Sequence, residues 1–175
     1  MAHIDIRRAD RPGDLGWIVM AQGAAYAAEY DWDAEYEGLV AQIVADYAAA
    51  RAGRVPGRDP DREAAWIAEV DGERAGSIAL VADGQGGDRT AARLRILFVS
   101  REARGLGLGS RLVAQCLDFA RAAGYERVVL WTSSHLGAAR RIYEANGFTL
   151  VGAEPLHRFG HDLVGQDWVL ELKPR

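Results

Sequence analysis

Cysteine is almost missing from this 175-residue chain, which has one, Cys116. A disulfide scaffold or a thiolate-rich metal centre is therefore excluded. Cys116 shares a helical face with Leu112, Val113, Leu117 and Phe119, so it is expected in a core. No apolar run approaches the roughly 20 residues that cross a bilayer, and the opening Met1-Ala2-His3-Ile4-Asp5 lacks a basic-then-apolar leader. The expectation is a cytoplasmic protein with no membrane partner. Basic residues are not in excess either: the formal net charge of −4 argues against a protein that coats nucleic acid. Internal repeats and linker-like segments are absent. With 49% hydrophobic residues, the chain is expected to form one domain spanning residues 1–175.

What is present reads as alternating strands and helices. His3 to Arg8 forms a first strand, and Arg11-Pro12-Gly13-Asp14 a turn in which Asp14 caps a helix carrying Leu15, Ile18 and Val19. Asp33 caps a second helix, whose apolar positions Tyr36, Leu39, Val40, Ile43, Val44 and Tyr47 keep helical spacing. Asp71-Gly72 between two β-prone runs predicts a hairpin of residues 64–70 and 74–81. The segment from Asp83 to Arg89 is too polar to pack and leads into a strand ending at Val99. Beyond Phe148, Thr149 to Gly152 and Gln166 to Leu172 read as strands with a long loop between them.

The most informative stretch is Arg104-Gly105-Leu106-Gly107-Leu108-Gly109, entered from a buried-looking strand (Leu94, Ile96, Phe98, Val99) and left by an amphipathic helix. Glycines admit close backbone approach, and the free amides of a helix's first turn point at negative charge, so this layout suits a diphosphate. A dinucleotide fingerprint would need glycine where Ser110 stands. A P-loop would need lysine and then Ser or Thr after the last glycine, where Ser110 and Arg111 follow. The pattern that remains is R-x-x-G-x-G. A second block follows: Arg127-Val128-Val129-Leu130-Trp131 as a short strand, then Ala138 to Phe148 as a helix containing Tyr143 and closed by Gly147.

Together these blocks, from Leu94 to Phe148, resemble the coenzyme A site of the GNAT superfamily of N-acetyltransferases. The resemblance implies an α/β (α+β) fold with a mixed, mostly antiparallel twisted sheet of about seven strands and flanking helices, splayed between the fourth and fifth strands. Arg93 to Leu97, Leu130-Trp131-Thr132, Phe159-Gly160 and Trp168 resemble, within that superfamily, the acetyltransferase half of bacterial proteins that carry a MarR-type winged helix. The resemblance does not extend to that DNA-reading half, so a regulatory function is not among its implications.

The implied activity is transfer of acetyl from acetyl-CoA to a small-molecule or protein amine. Backbone groups of Leu97, Phe98 and Val99 would bind the pantetheine arm, and Gly105, Leu106, Gly107, Leu108, Gly109 and Ser110 the diphosphate, with Arg104 adding charge and Ala139 lying alongside. Tyr143 would be the general acid for the departing thiolate; a free phenol has a pKa near ~10 against ~8.5 for a thiol, so placement matters more than acidity.

Two departures from the family pattern stand out. Arginine, at Arg93 or Arg95, occupies the strand position where relatives carry an acidic residue, which leaves Glu35, Glu37, His157 and His161 as candidate bases. Leu136 stands where many relatives have asparagine. On a regular strand Arg93 and Arg95 share one face, opposite Leu94, Ile96 and Phe98, and could clamp an acidic acceptor. Tyr26, Tyr30, Trp32 and Tyr36 could border the acceptor, with Glu37. His157 and His161 have a zinc-like spacing, but Pro155, Gly160 and the lack of thiolates point to a loop and no metal. A non-catalytic coenzyme A sensor is the rival reading, and a homodimer is an open arrangement.

Overall fold

The computed structural model describes residues 1–84 and 88–173; part of the polar segment expected between Asp83 and Arg89 lies outside these residues. The elements run β1 (Ile4–Arg8), α1 (Asp14–Tyr30), α2 (Ala34–Arg51), β2 (Ala64–Val70), β3 (Glu73–Ala82), β4 (Ala91–Val99), α3 (Leu108–Ala122), β5 (Arg127–Ser133), α4 (Gly137–Ala145), β6 (Thr149–Arg158) and β7 (His161–Glu171). Short 3₁₀ turns at Pro60–Arg62 and Arg101–Ala103 precede β2 and follow β4. Seven strands form one sheet in the order β1-β2-β3-β4-β5-β7-β6, antiparallel except for the parallel pair β4-β5.

Helices cover both sides of the sheet, and the strand alternation divides the core accordingly. On β2, Trp66 and Ala68 join α3 residues Leu112, Val113 and Cys116 on one side, while Ala65 and Ile67 join Ile18 of α1 and Val40 and Val44 of α2 on the other. Burial on both faces explains why β2 reads as a continuous apolar run. Cys116 is fully buried in the first cluster, where desolvation pushes its thiol pKa up. The Asp71-Gly72 turn has positive φ at both residues, as a two-residue hairpin of this hand requires.

The parallel pairing is the feature that makes the site. It joins Ala91, Ala92 and Arg93 to Arg127, Val128 and Val129 and then stops. Beyond it β5 stays paired with β7 as far as Ser133. From Leu94 to Val99 β4 has no partner on its β5 side, so the sheet opens as a V.

Three local expectations need correction. Asp14 does not cap α1: Gly13, at φ 88°, takes that place, and Asp14 is the first helical residue, fully buried. It accepts from Arg7 Nη1 at 2.7 Å, Arg74 Nε at 2.9 Å and the Arg11 amide at 3.0 Å. Burial alone would raise its pKa, but the hydrogen bonds from Arg7, Arg11 and Arg74 outweigh it and hold the carboxyl at about 2.

The expected loop between Gly152 and Gln166 is instead a long hairpin of β6 and β7, turning at Phe159 (φ 59°) and Gly160 (φ 81°). β6 is an edge strand with mostly exposed side chains and contains Pro155, so it shows no apolar alternation. Finally, β4 is not regular. Ser77 pairs with Phe98 but Ala79 with Arg95, so β4 has one extra residue, and Ile96 lies at φ 53°. The bulge turns Ile96 to the α1/α2 side while Leu97 and Val99 pack on the α3 side. Leu94, Ile96 and Phe98 therefore do not share a face.

Candidate active site

A cavity of about 420 Å³ occupies the opening of the V. Gly105, Gly107, Leu108, Gly109, Ser110, Ala138, Ala139 and Ile142 line it from the α3/α4 side, and Ala25, Tyr26, Glu29 and Tyr30 from α1. Leu97, Phe98 and Val99 form the wall between them. Since α1 and α3 cover opposite faces of the sheet, the cavity is a slot that passes through it. Such a slot can bring two reactants together from opposite faces.

One end is built from backbone. Gly105 and Gly107 lie at φ 83° and 74°, and α3 starts at Leu108 with Gly107 as its cap and no side chain bonded to its first amides. Left-handed backbone at these two positions explains glycine there. An uncapped helix start carries free N–H groups and the positive end of the dipole, so these residues fit a diphosphate. Leu106, also expected to contribute here, has an exposed side chain and does not line the slot.

The wall at β4 is held by a buried polar chain that sequence reasoning missed. Tyr36 Oη donates to Gln22 Oε1 at 3.0 Å, and Gln22 Nε2 reaches Ser77 Oγ at 3.3 Å and the Ile96 carbonyl at 3.5 Å. Ser77 Oγ donates to the same carbonyl at 3.0 Å. Gln22 and Ser77 are both fully buried. The bulge leaves the Ile96 carbonyl off the ladder, and these side chains satisfy it in a place where an unmet acceptor would be costly. The signal in the sequence was a lone glutamine in an apolar helix, legible only once its partners are in place.

Tyr143 is 4% exposed, packed with Phe148 at 5.6 Å between ring centroids. It adjoins Ile142, which lines the slot, but does not line it itself. Burial raises its phenol pKa, with further contributions from Tyr26 and Cys116, so the phenol keeps its proton at neutral pH. Tyr26 lines the slot and is raised to about 12, chiefly by burial. Two protonated phenols thus sit within electrostatic reach of one another beside the opening.

The other expected contributors lie elsewhere. Trp32 is buried in an aromatic cluster, 4.7 Å from Phe159 and stacked on Tyr26 at 5.3 Å between centroids. Glu37 is exposed on α2, with its side chain against Gly23 of α1. Arg93 donates to Asp83 at 2.7 Å. Arg95 is half-buried, and its pKa is lowered mainly by desolvation and next by Arg93. Neither arginine lines the slot.

Two of the base candidates, Glu35 and His161, clamp the β6-β7 turn onto the α1-α2 turn, and a third, His157, is paired within the hairpin. Glu35 accepts from Arg158 Nε at 2.5 Å and the Phe159 amide at 2.8 Å; the amide bond first and Arg158 second hold its pKa down. His161 Nε2 donates to the Asp31 carbonyl at 2.8 Å, and His157 Nδ1 lies 2.8 Å from Asp162. Among the described residues no group of three or more His, Cys, Asp or Glu could hold a metal ion, and no helix is long and apolar enough to cross a membrane. Glu29, absent from the sequence-derived candidates, is the one carboxylate among the described residues of the slot wall.

Comparison with known proteins fits this geometry. The pattern of the acetyltransferase (GNAT) family matches residues 22–148, and the chain belongs to that family. It is 38% identical over 88 residues to the N-acetylaspartate synthetase of Homo sapiens, covering 50% of this chain and 28% of that protein. It is 36% identical over 93 residues to human N-acetyltransferase 8B, covering 53% and 41%. The matched segment thus spans less than half the length of these relatives. Among solved structures, yncA of Salmonella typhimurium, determined with its cofactor acetyl-CoA, superposes with TM-score 0.76 at 22% identity, covering 98% of this chain and 95% of that one. Ribosomal-protein-alanine N-acetyltransferase of Brucella melitensis gives 0.75 at 20% identity, covering 96% and 99%.

Proposed function

We propose that this protein transfers acetyl from acetyl-CoA to a primary amine by direct attack. The observation that carries the reading is the through-sheet slot, with a glycine-led, uncapped helix start on one side and an aromatic, acid-bearing helix on the other. Acetyl-CoA supplies the activated acyl group when bound. Amides from Gly105 to Ser110 hold its diphosphate, and β5-facing backbone groups between Leu97 and Val99 align its arm and polarise the thioester carbonyl. The neutral amine attacks and its surplus proton passes to water; Tyr143 gives a proton to the leaving thiolate and recovers one from that water. The raised pKa of Tyr143 makes it a weaker acid but keeps it in the donating form, so its contribution is one of placement.

Tyr26 borders the acceptor; Trp32, Glu37, Arg93 and Arg95 are assigned at most to supporting its surroundings, since none lines the slot. Within the family we place the chain near the acetyltransferase half of MarR-linked bacterial proteins, on the segments Arg93–Leu97, Leu130–Thr132 and Phe159-Gly160. A cytoplasmic location completes the reading, with an amine as partner and neither nucleic acid nor membrane; a homodimer is compatible with it.

The test is thiol release from acetyl-CoA across a panel of amines. Wild type is expected to turn over at least one amine, and Tyr143→Phe to lower that turnover by about 100-fold. Turnover unchanged by Tyr143→Phe would remove the tyrosine from the chemistry. Tight coenzyme A binding without turnover of any amine would favour a sensor, a reading motivated by the engagement of Glu35, His157 and His161 in holding the β6-β7 turn.

A further inference from the structure

Two charged side chains line the slot among the described residues, Glu29 and Arg104, and they are bonded to each other. Arg104 Nη2 donates to Glu29 Oε1 at 2.5 Å. The pair joins the helix on the α1/α2 face to the first residue of the glycine loop, so it bridges the two sides of the site. Glu29 is one helical turn beyond Tyr26, and both Tyr26 and the adjacent Tyr30 line the same wall. Its side chain is 20% exposed, against 49% for Arg104. The carboxylate is the more desolvated partner and has more to lose if left alone.

The reaction brings one group of each sign into this slot. A diphosphate on the amides of residues 105–110 is a stronger partner for Arg104 than a single carboxylate, being multiply charged and adjacent in the chain. Most amines arrive as ammonium ions. Once Arg104 has turned to the diphosphate, Glu29 is an unpaired, mostly buried carboxylate flanked by two phenol rings. An ammonium group satisfies it, and ring faces favour a cation as well.

We propose that Glu29 is the residue that receives the acceptor's ammonium group, and that Arg104 keeps it neutralised until the cofactor's diphosphate draws the arginine away. The proposal rests on the reading of the slot as an acetyl-CoA site and extends it: the acceptor is a cationic amine, and cofactor binding strengthens amine binding. By linkage the amine strengthens cofactor binding by the same factor. Arg104 is half exposed, so water and then the diphosphate take over its side of the pair, and the exchange costs only the modest energy of a partly solvated contact.

Calorimetry tests this without turnover. Coenzyme A is titrated into wild type, Glu29→Gln and Arg104→Gln, with pantetheine, which lacks the diphosphate, as control; tyramine is then titrated with and without saturating coenzyme A. Glu29→Gln is expected to bind coenzyme A about fivefold tighter, because Arg104 is already free, and pantetheine with unchanged affinity. Arg104→Gln is expected to bind coenzyme A more weakly. Wild type should bind tyramine about fivefold tighter when coenzyme A is present, and Glu29→Gln should lose that gain. An unchanged coenzyme A affinity in Glu29→Gln, or tyramine binding that is absent or indifferent to Glu29, overturns the proposal while leaving the cofactor slot standing. No coenzyme A binding by wild type overturns the slot reading and this proposal together.

Discussion

The two sides of the slot are built in different ways. On the α3/α4 side the surface offered to the cofactor is mostly backbone and small side chains: Gly105, Gly107, Gly109, Ser110, Ala138 and Ala139. On the α1 side it is made of side chains that owe their places to one another, through the Tyr36-Gln22-Ser77 chain, the Glu29-Arg104 pair and the rings of Tyr26, Trp32, Tyr36 and Phe159. A diphosphate is the same in every acyl-CoA and is met by main-chain amides, which any sequence with glycine at the right positions can present. An acceptor differs from enzyme to enzyme and has to be met by side chains. Damage to the first side should therefore appear as lost affinity in a stable protein, and damage to the second as lost stability.

Substitutions ordered by expected effect can break that contrast. Phe159→Ala removes a fully buried ring from the aromatic cluster and is expected to cost about 4 kcal/mol in a urea melt. Asp14→Asn, which leaves Arg7 and Arg74 without their shared carboxylate, should cost about 3 kcal/mol. The same residue sets an acid limb. Its folded pKa of about 2 lies below the ordinary 3.8, so its contribution is complete above pH 3.8 and is lost as pH falls towards 2. Wild type should lose about 2 kcal/mol across that window, and Asp14→Asn should lose correspondingly less in urea melts between pH 5 and pH 2.

Gln22→Leu strands the Tyr36 hydroxyl and weakens the hold on the Ile96 carbonyl, for about 2 kcal/mol of stability together with weaker acetyl-CoA binding. Gly107→Val forces a β-branched residue to φ 74°. It should cost about 1–2 kcal/mol of stability and about tenfold in coenzyme A affinity by calorimetry. His157→Ala, on the exposed edge strand, is expected to stay within about 0.5 kcal/mol of wild type. If Gly107→Val melted well below Gln22→Leu while binding coenzyme A normally, the contrast between the two sides would be wrong.

The glycine loop, the helix of Tyr143, the Asp71-Gly72 hairpin and the Asp33 cap were legible because each is a local arrangement. Asp33 accepts from the Glu35 amide at 3.0 Å, two residues away. The β6-β7 hairpin was not legible, since β6 is an exposed edge with Pro155 and its turn places Phe159, a residue no turn rule selects, at positive φ. That phenylalanine is there because Trp32 and Tyr36, more than a hundred residues earlier in the chain, enclose it. Asp14 looked like a cap because the residue type suits one. Arg7 and Arg74, brought in by β1 and β3, turned it into the centre of a buried ion cluster.

By itself the sequence determined the elements whose causes lie within a few residues: the left-handed glycines, the free amides that follow them, and the amphipathic helices that must cover a sheet. Tertiary structure alone decided where the sheet opens, that β4 carries an extra residue at Ile96, and that Glu29 faces Arg104 across the slot. These depend on contacts between segments far apart in the chain. Periodicity records which face of an element is apolar but not which distant residue will be found opposite it.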